Sequence, residues 1–143
     1  MEPTAVPAGA ERPQPPGLVG WHHVRIPVSD VLVSRDWYVD VLGFQPMLII
    51  EEEDRVAGVI LEHPSGVVMG LHDDPRRAAP LRGFMVVALS VSDVGEWLDH
   101  LDRRGVPHGP LEDHHLGRGC RVPDPDGILV QLQTLDQPSA DEA

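Results

Sequence analysis

Val28-Ser29-Asp30-Val31 recurs letter for letter as Val91-Ser92-Asp93-Val94, and each copy joins an alternating run to a run with helical spacing. The chain is therefore one unit written twice, and a site is expected between the copies. Upstream of the first copy, Val24, Ile26 and Val28 fall on one face of an extended strand and His23, Arg25 and Pro27 on the other. Phe84 to Val91 repeats the pattern, with Val87, Leu89 and Val91 opposite Val86, Ala88 and Ser90. Asp30 and Asp93 then stand where a side-chain oxygen caps the first amides of a helix, and Gly43 and Gly105 where a left-handed residue ends one. Val31, Tyr38, Val41 and Leu42 line the first helix and Val94, Trp97, Leu98 and Leu101 the second. Such stripes are core, and Trp37 and Trp97 are read as packing rather than ligand-stacking residues.

Three short strands are expected after each helix: Phe44 to Ile50, Val56 to Glu62 and Val67 to His72 in the first copy, with weaker equivalents closing at Ile128 to Leu135 in the second. The last strand of each copy follows a matching turn, His63-Pro64-Ser65-Gly66 or Asp124-Pro125-Asp126-Gly127. The expected fold class is α+β, with tandem βαβββ modules forming an open cup-shaped sheet. Residues 1–17, broken by five prolines, are expected to be a disordered tail, and 136–143 a frayed acidic one. Between them lies a single domain, 18–135, divided into module one (18–72), a linker (73–81) and module two (82–135).

Composition excludes several functions. A net charge of −12 opposes nucleic acid and anionic membrane surfaces. All 11 basic residues are arginine, so chemistry that needs an internal lysine is excluded, including Schiff bases, pyridoxal phosphate attachment and the Gly-Lys-Ser/Thr phosphate loop. No apolar run reaches membrane-spanning length and the N-terminus lacks signal-peptide character, so a cytoplasmic protein is expected. Cys120, the single cysteine, is expected to be a small buried hydrophobe.

The opening His23-Val24-Arg25-Ile26-Pro27-Val28-Ser29-Asp30, the helix end Trp37-Tyr38-Val39-Asp40-Val41-Leu42-Gly43-Phe44 and the closing Asp124-Pro125-Asp126-Gly127-Ile128-Leu129-Val130-Gln131-Leu132 resemble the vicinal oxygen chelate superfamily. That superfamily includes glyoxalase I, extradiol dioxygenases, fosfomycin-modifying enzymes and bleomycin-binding resistance proteins. The resemblance covers about residues 18–135 and implies a cup, often completed by a second chain, in which a divalent metal chelates neighbouring substrate oxygens. It places the metal ligands on the first and last strands of each module, which here gives His23, Gly70, Val86 and Gln131. Only His23 is a strong donor, and Gln131 offers a neutral amide oxygen. His72, two residues past Gly70, faces the same way and is the candidate third donor.

The cup is expected to be lined by Trp21, His23, Arg25, Val68, His72, Val86, Ala88, Ser90, Leu129, Gln131 and Gln133. His23 and His72 are the candidate general bases, and Arg25 a candidate anion holder unless it pairs with Glu51 or Glu53. His22 should face away from His23, His114 and His115 are read as surface residues, and His63, His100 and His108 as solvated. The favoured reading is a homodimeric protein that binds a small organic molecule without a cofactor, sequestering it or moving a proton with His23. The alternatives are a lyase, isomerase or dioxygenase holding Ni, Zn, Mn or Fe through His23, Gln131 and His72, and a non-catalytic interaction module.

Overall fold

The computed structural model describes residues 2–6 and 13–135, so the expectations for the two tails fall largely outside the described residues. Module one runs β1 (Val24–Val28), α1 (Val31–Leu42), β2 (Gln45–Glu52), β3 (Arg55–Glu62) and β4 (Val68–Asp73). A short helix, α2 (Pro75–Ala78), and a 3-10 turn at Ala79–Leu81 lead to module two. This comprises β5 (Val86–Ser90), α3 (Val94–Arg103), β6 (Glu112–His114), β7 (Gly117–Pro123) and β8 (Leu129–Gln133). The sheets have matching orders, β1-β4-β3-β2 and β5-β8-β7-β6, and in each the first strand pairs parallel to the last.

The repeated Ser-Asp step works as a cap in both copies. Asp30 Oδ1 accepts from the amides of Leu32 and Val33, and Asp93 Oδ1 from that of Glu96. Gly43 ends α1 with φ 84°, and α3 closes through Arg104 before Gly105 turns left-handed at φ 65°.

Alternation then sorts each strand. Ile26, Val28, Val59, Leu61 and Leu71 of the first sheet and Val87, Val122, Val130 and Leu132 of the second are buried, and they join α1 and α3 in one apolar cluster. Each such side chain, moved from water to the interior, stabilises the fold by roughly 1.5–3 kcal/mol. Because both helix-covered faces feed the same core, the two uncovered faces look outward on opposite sides of it. The modules are also clasped by polar bonds. Tyr38 Oη donates to Asp124 Oδ2 at 2.8 Å, the Ser29 amide donates to Asp126 Oδ2 at 3.0 Å, and His100 Nε2 meets the Val41 carbonyl at 2.9 Å.

Three histidines depart from the expectation of solvation, because each is half-buried with partners. His63 packs on Phe44 with ring centroids 5.3 Å apart and bonds Ser65, and His100 bridges the modules. His108 lies between the Gly109 carbonyl and Asp102 Oδ1, each 2.6 Å from a ring nitrogen. Two acceptors require two N–H donors, so the imidazolium is favoured. The Gly109 carbonyl, then Asp102, raise its pKa above the usual value. Its folded pKa exceeds the unfolded one, so its stabilisation is full below about pH 6.5 and is lost as pH rises through the folded value. In an imidazole NMR titration, His108 should titrate above the ordinary imidazole value of about 6.5, and His108→Gln should lose stability on the acid side and converge with wild type at alkaline pH. Equal loss at all pH values would refute the assignment.

Candidate functional site

The uncovered face of each sheet is laid out by strand register. In module one the central rung reads Arg25, Gly70, Ile60 and Leu48 across β1, β4, β3 and β2, and the rung beside it reads Pro27, His72, Gly58 and Ile50. In module two the central rung reads Ala88, Gln131 and Arg121 across β5, β8 and β7, flanked by Val86–Leu129–Pro123 and Ser90–Gln133–Gly119. Arg25, Val68, His72, Val86, Ala88, Ser90, Leu129, Gln131 and Gln133 thus stand on the faces the alternation assigned to them. Ile60, Leu48 and Arg121 are on the same faces and were missed in the sequence. The face of β3 was readable from buried Ala57, Val59 and Leu61, whereas β7 is glycine-rich and carries little pattern.

The start of β1 differs from the sequence reading. The ladder begins at Val24 opposite Met69, and Trp21 lies ahead of the sheet, 95% exposed. Ahead of the first paired residue, His22 and His23 do not point to opposite faces. Their Nδ1 atoms lie 2.8 Å apart and their rings meet edge to face.

Arg25 is exposed, and its stem lies over β4. A Cβ built on Gly70 would come within 3.3 Å of Arg25 Cγ and 3.4 Å of Ile60 Cδ1, so the glycine makes room for the arginine. β2, which carries Glu51, is the far edge of the sheet and not the neighbour of β1. Arg25 makes no ion pair or hydrogen bond among the described residues. On the other face, Arg121 Nε donates to Gln131 Oε1 at 3.2 Å, Gln131 Nε2 to Gln133 Oε1 at 2.9 Å, and Gln133 Nε2 to the Thr134 carbonyl at 3.0 Å.

These residues do not fit a divalent metal. His72 is level with Pro27, four residues beyond His23, an offset of about 13 Å along an extended strand. Two imidazoles on one ion at about 2.1 Å each lie within roughly 4 Å of one another, so His72 is no third donor beside His23. Gln131 directs its amide oxygen at a guanidinium, which would repel a second cation there. Among the described residues no three His, Cys, Asp or Glu side chains converge on a metal-sized gap.

Among the described residues, no side chains of the same chain fill either face. Arg25, Leu48, Val86, Ala88 and Ser90 are all exposed, while a hollow of about 340 Å³ lies between the end of α1 and α3. Cys120 is buried on the helix-covered side, and burial pushes its thiol pKa up, as expected of a packing residue.

The same frame recurs in solved structures. TnmS3, an antibiotic binding protein from Streptomyces sp. CB03234, is 22% identical and superposes with a TM-score of 0.67, covering 84% of this chain and all of that one. A bleomycin resistance determinant encoded on transposon Tn5 is 18% identical, with a TM-score of 0.66 over 82% of this chain and 99% of its own. A mutant of the fosfomycin resistance protein FosX from Listeria monocytogenes, complexed with Mn(II) and 1S,2S-dihydroxypropylphosphonic acid, is 14% identical, with a TM-score of 0.68 over 88% of this chain and 97% of that one. At these identities the likeness is one of fold. The sequence itself matches the model of one family over residues 20–132, so the chain belongs to the Glyoxalase/Bleomycin resistance protein/Dioxygenase superfamily.

Proposed function

We propose that this protein binds a small organic molecule without a metal, in a cup formed by module one of one copy and module two of a second copy in a homodimer. The observation that carries this reading is the outward orientation of the two uncovered faces on opposite sides of a shared core. A single chain cannot fold one face over the other, whereas two copies bring unlike faces together twice, as a two-fold pair requires. The state of β2 supports it too. All eight of its residues are exposed, Met47, Leu48, Ile49 and Ile50 among them, and so apolar an edge strand is a liability unless a partner covers it. The antibiotic-binding neighbour lends weight to sequestration. The offset between His23 and His72 argues against their sharing one proton-transfer step.

The test uses a neutral aromatic dye, N-phenyl-1-naphthylamine, and two variants that each put a carboxylate in the centre of one face, Ile60→Asp and Ala88→Asp. Light scattering on the eluting wild type should give a dimer, and dye fluorescence should be unchanged by excess EDTA. Each homodimeric variant should lose dye binding. Mixed dimers should recover half the wild-type stoichiometry, because one of their two cups has both faces intact. Mixed dimers that bind nothing would place both halves of the cup in one chain and overturn the composite site.

A further inference from the structure

We propose that the cup takes a largely apolar molecule bearing one anionic group, a carboxylate, sulfonate or ionised phenol, and that Arg25 and Arg121 hold that anion. The proposal rests on the composite cup above, which brings the two arginines, one from each copy, into one site.

The chain carries a net charge of −12, yet the central rung of each uncovered face holds one arginine and no carboxylate. Glu62 and Glu112 lie off these rungs, level with Val68 and Gly119. Arg35, Arg55, Arg77 and Arg118 each pair with an aspartate, whereas Arg25 has no such partner among the described residues. Other arginines without ion pairs among the described residues, such as Arg76, Arg103 and Arg104, sit in or at the ends of helices, in the water. Arg25 instead leans from β1 over β4 toward Ile60, with its stem in the space that Gly70 leaves.

Arg121 is held in a different way to the same end. Its Nε is fixed by Gln131, whose other end is tied through Gln133 to the Thr134 backbone, so a run of neutral amides orients the guanidinium without neutralising it. An arginine kept in place, uncompensated and bordered by apolar side chains is suited to a charge-assisted fork with a carboxylate-like group. Val68, Val86 and Leu129 on the same faces supply apolar area for the rest of the ligand.

The test compares 8-anilinonaphthalene-1-sulfonate with N-phenyl-1-naphthylamine, the same ring system without the sulfonate, by fluorescence titration of the full chain. Wild type should bind the anion about 10-fold more tightly than the neutral dye, or better, and added salt should narrow the gap. Arg25→Met and Arg121→Met should each reduce binding of the anion about 10-fold and leave the neutral dye unchanged. Arg25→Lys should keep much of the preference, and Arg103→Met, on α3, should behave as wild type. Thermal melts of every variant establish that it is folded, and either methionine variant suffices if the other is not. Equal affinity of wild type for the two dyes, or equal loss of both in the methionine variants, would overturn the anion assignment while leaving the cup intact. Failure of both dyes to bind wild type would overturn the cup and this inference together.

Discussion

Gly117→Ala will destabilise the protein by roughly 3 kcal/mol or more, lowering the unfolding midpoint by on the order of 10 °C. Gly117 opens β7 with φ 134°, a conformation that L side chains rarely adopt. A Cβ there would collide with the Thr134 backbone carbonyl, and would come within 2.7 Å of Thr134 Oγ1 and 2.9 Å of Thr134 C. Those atoms cannot yield cheaply. Thr134 Oγ1 accepts from the Arg118 amide at 3.0 Å and the Thr134 amide donates to the Arg118 carbonyl at 2.8 Å, so the contact closes the end of the second sheet. Gly66→Ala supplies the comparison, since φ is 98° there but nothing lies within 4 Å of the added carbon. It should cost only about 1 kcal/mol. Urea unfolding of both variants separates the two contributions, and similar losses would mean that the Thr134 contact yields.

Asp124→Ala should be nearly as severe, at roughly 3–5 kcal/mol, because one buried carboxylate serves three donors. Its Oδ1 accepts from the Asp126 and Ile128 amides at 2.8 and 3.0 Å, and its Oδ2 from Tyr38 Oη at 2.8 Å. The first two bonds set the turn before β8, and the third joins module two to α1 of module one. Tyr38→Phe removes only the third and should cost about 1–3 kcal/mol. The double variant should fall short of the sum of the single losses, and strict additivity would mean that the hydroxyl and carboxylate do not interact.

This pair also gives a pH signature. Burial, then the nearby Asp124 charge and hydrogen bond, raises the Tyr38 pKa well above its ordinary value of 10.0. The folded value exceeds the unfolded one, so the stabilisation is full below pH 10 and is lost as pH rises through the folded pKa. Wild type should therefore lose stability above pH 10 more steeply than Tyr38→Phe does. Burial likewise raises the Asp124 pKa, against the opposing hydrogen bonds from Tyr38, Ile128 and Asp126. The same sign rule places its contribution at acid pH, full below about pH 3.9 and lost as pH rises through the folded value. Asp124→Asn should thus compare less favourably with wild type as pH falls.

Much of the frame was legible because it depends on local pattern. The repeated Val-Ser-Asp-Val, the apolar stripes and the two Pro-Gly turns specify strands, caps and helices within a few residues of themselves, and each of those readings matches the structure. What lay beyond the sequence depended on distance in space. The Asp124-Pro125-Asp126-Gly127 turn reads as a reversal, but that it also holds Tyr38 and the Ser29 amide is a fact of module packing. Arg25 was assignable to the face of β1 opposite Ile26, whereas its access to the space over Gly70 required the β1–β4 register. The candidate site of this superfamily member was therefore half legible: parity along each strand gave the residues of the uncovered faces, and only register gave the rungs that separate His23 from His72 and set Arg121 beside Gln131.

The alternation within the strands has a consequence for how such a protein changes over generations. In β1, β5 and β8, buried positions that hold the core interleave one by one with positions that face outward, so neighbouring codons answer to different demands. In the proposed cup, a substitution at Arg25, Ala88 or Ser90 would change the surroundings of the ligand and leave the packing of Ile26, Val87 or Leu89 untouched. Ligand preference can drift at little expense in folding, which is how one duplicated scaffold can serve many different small molecules.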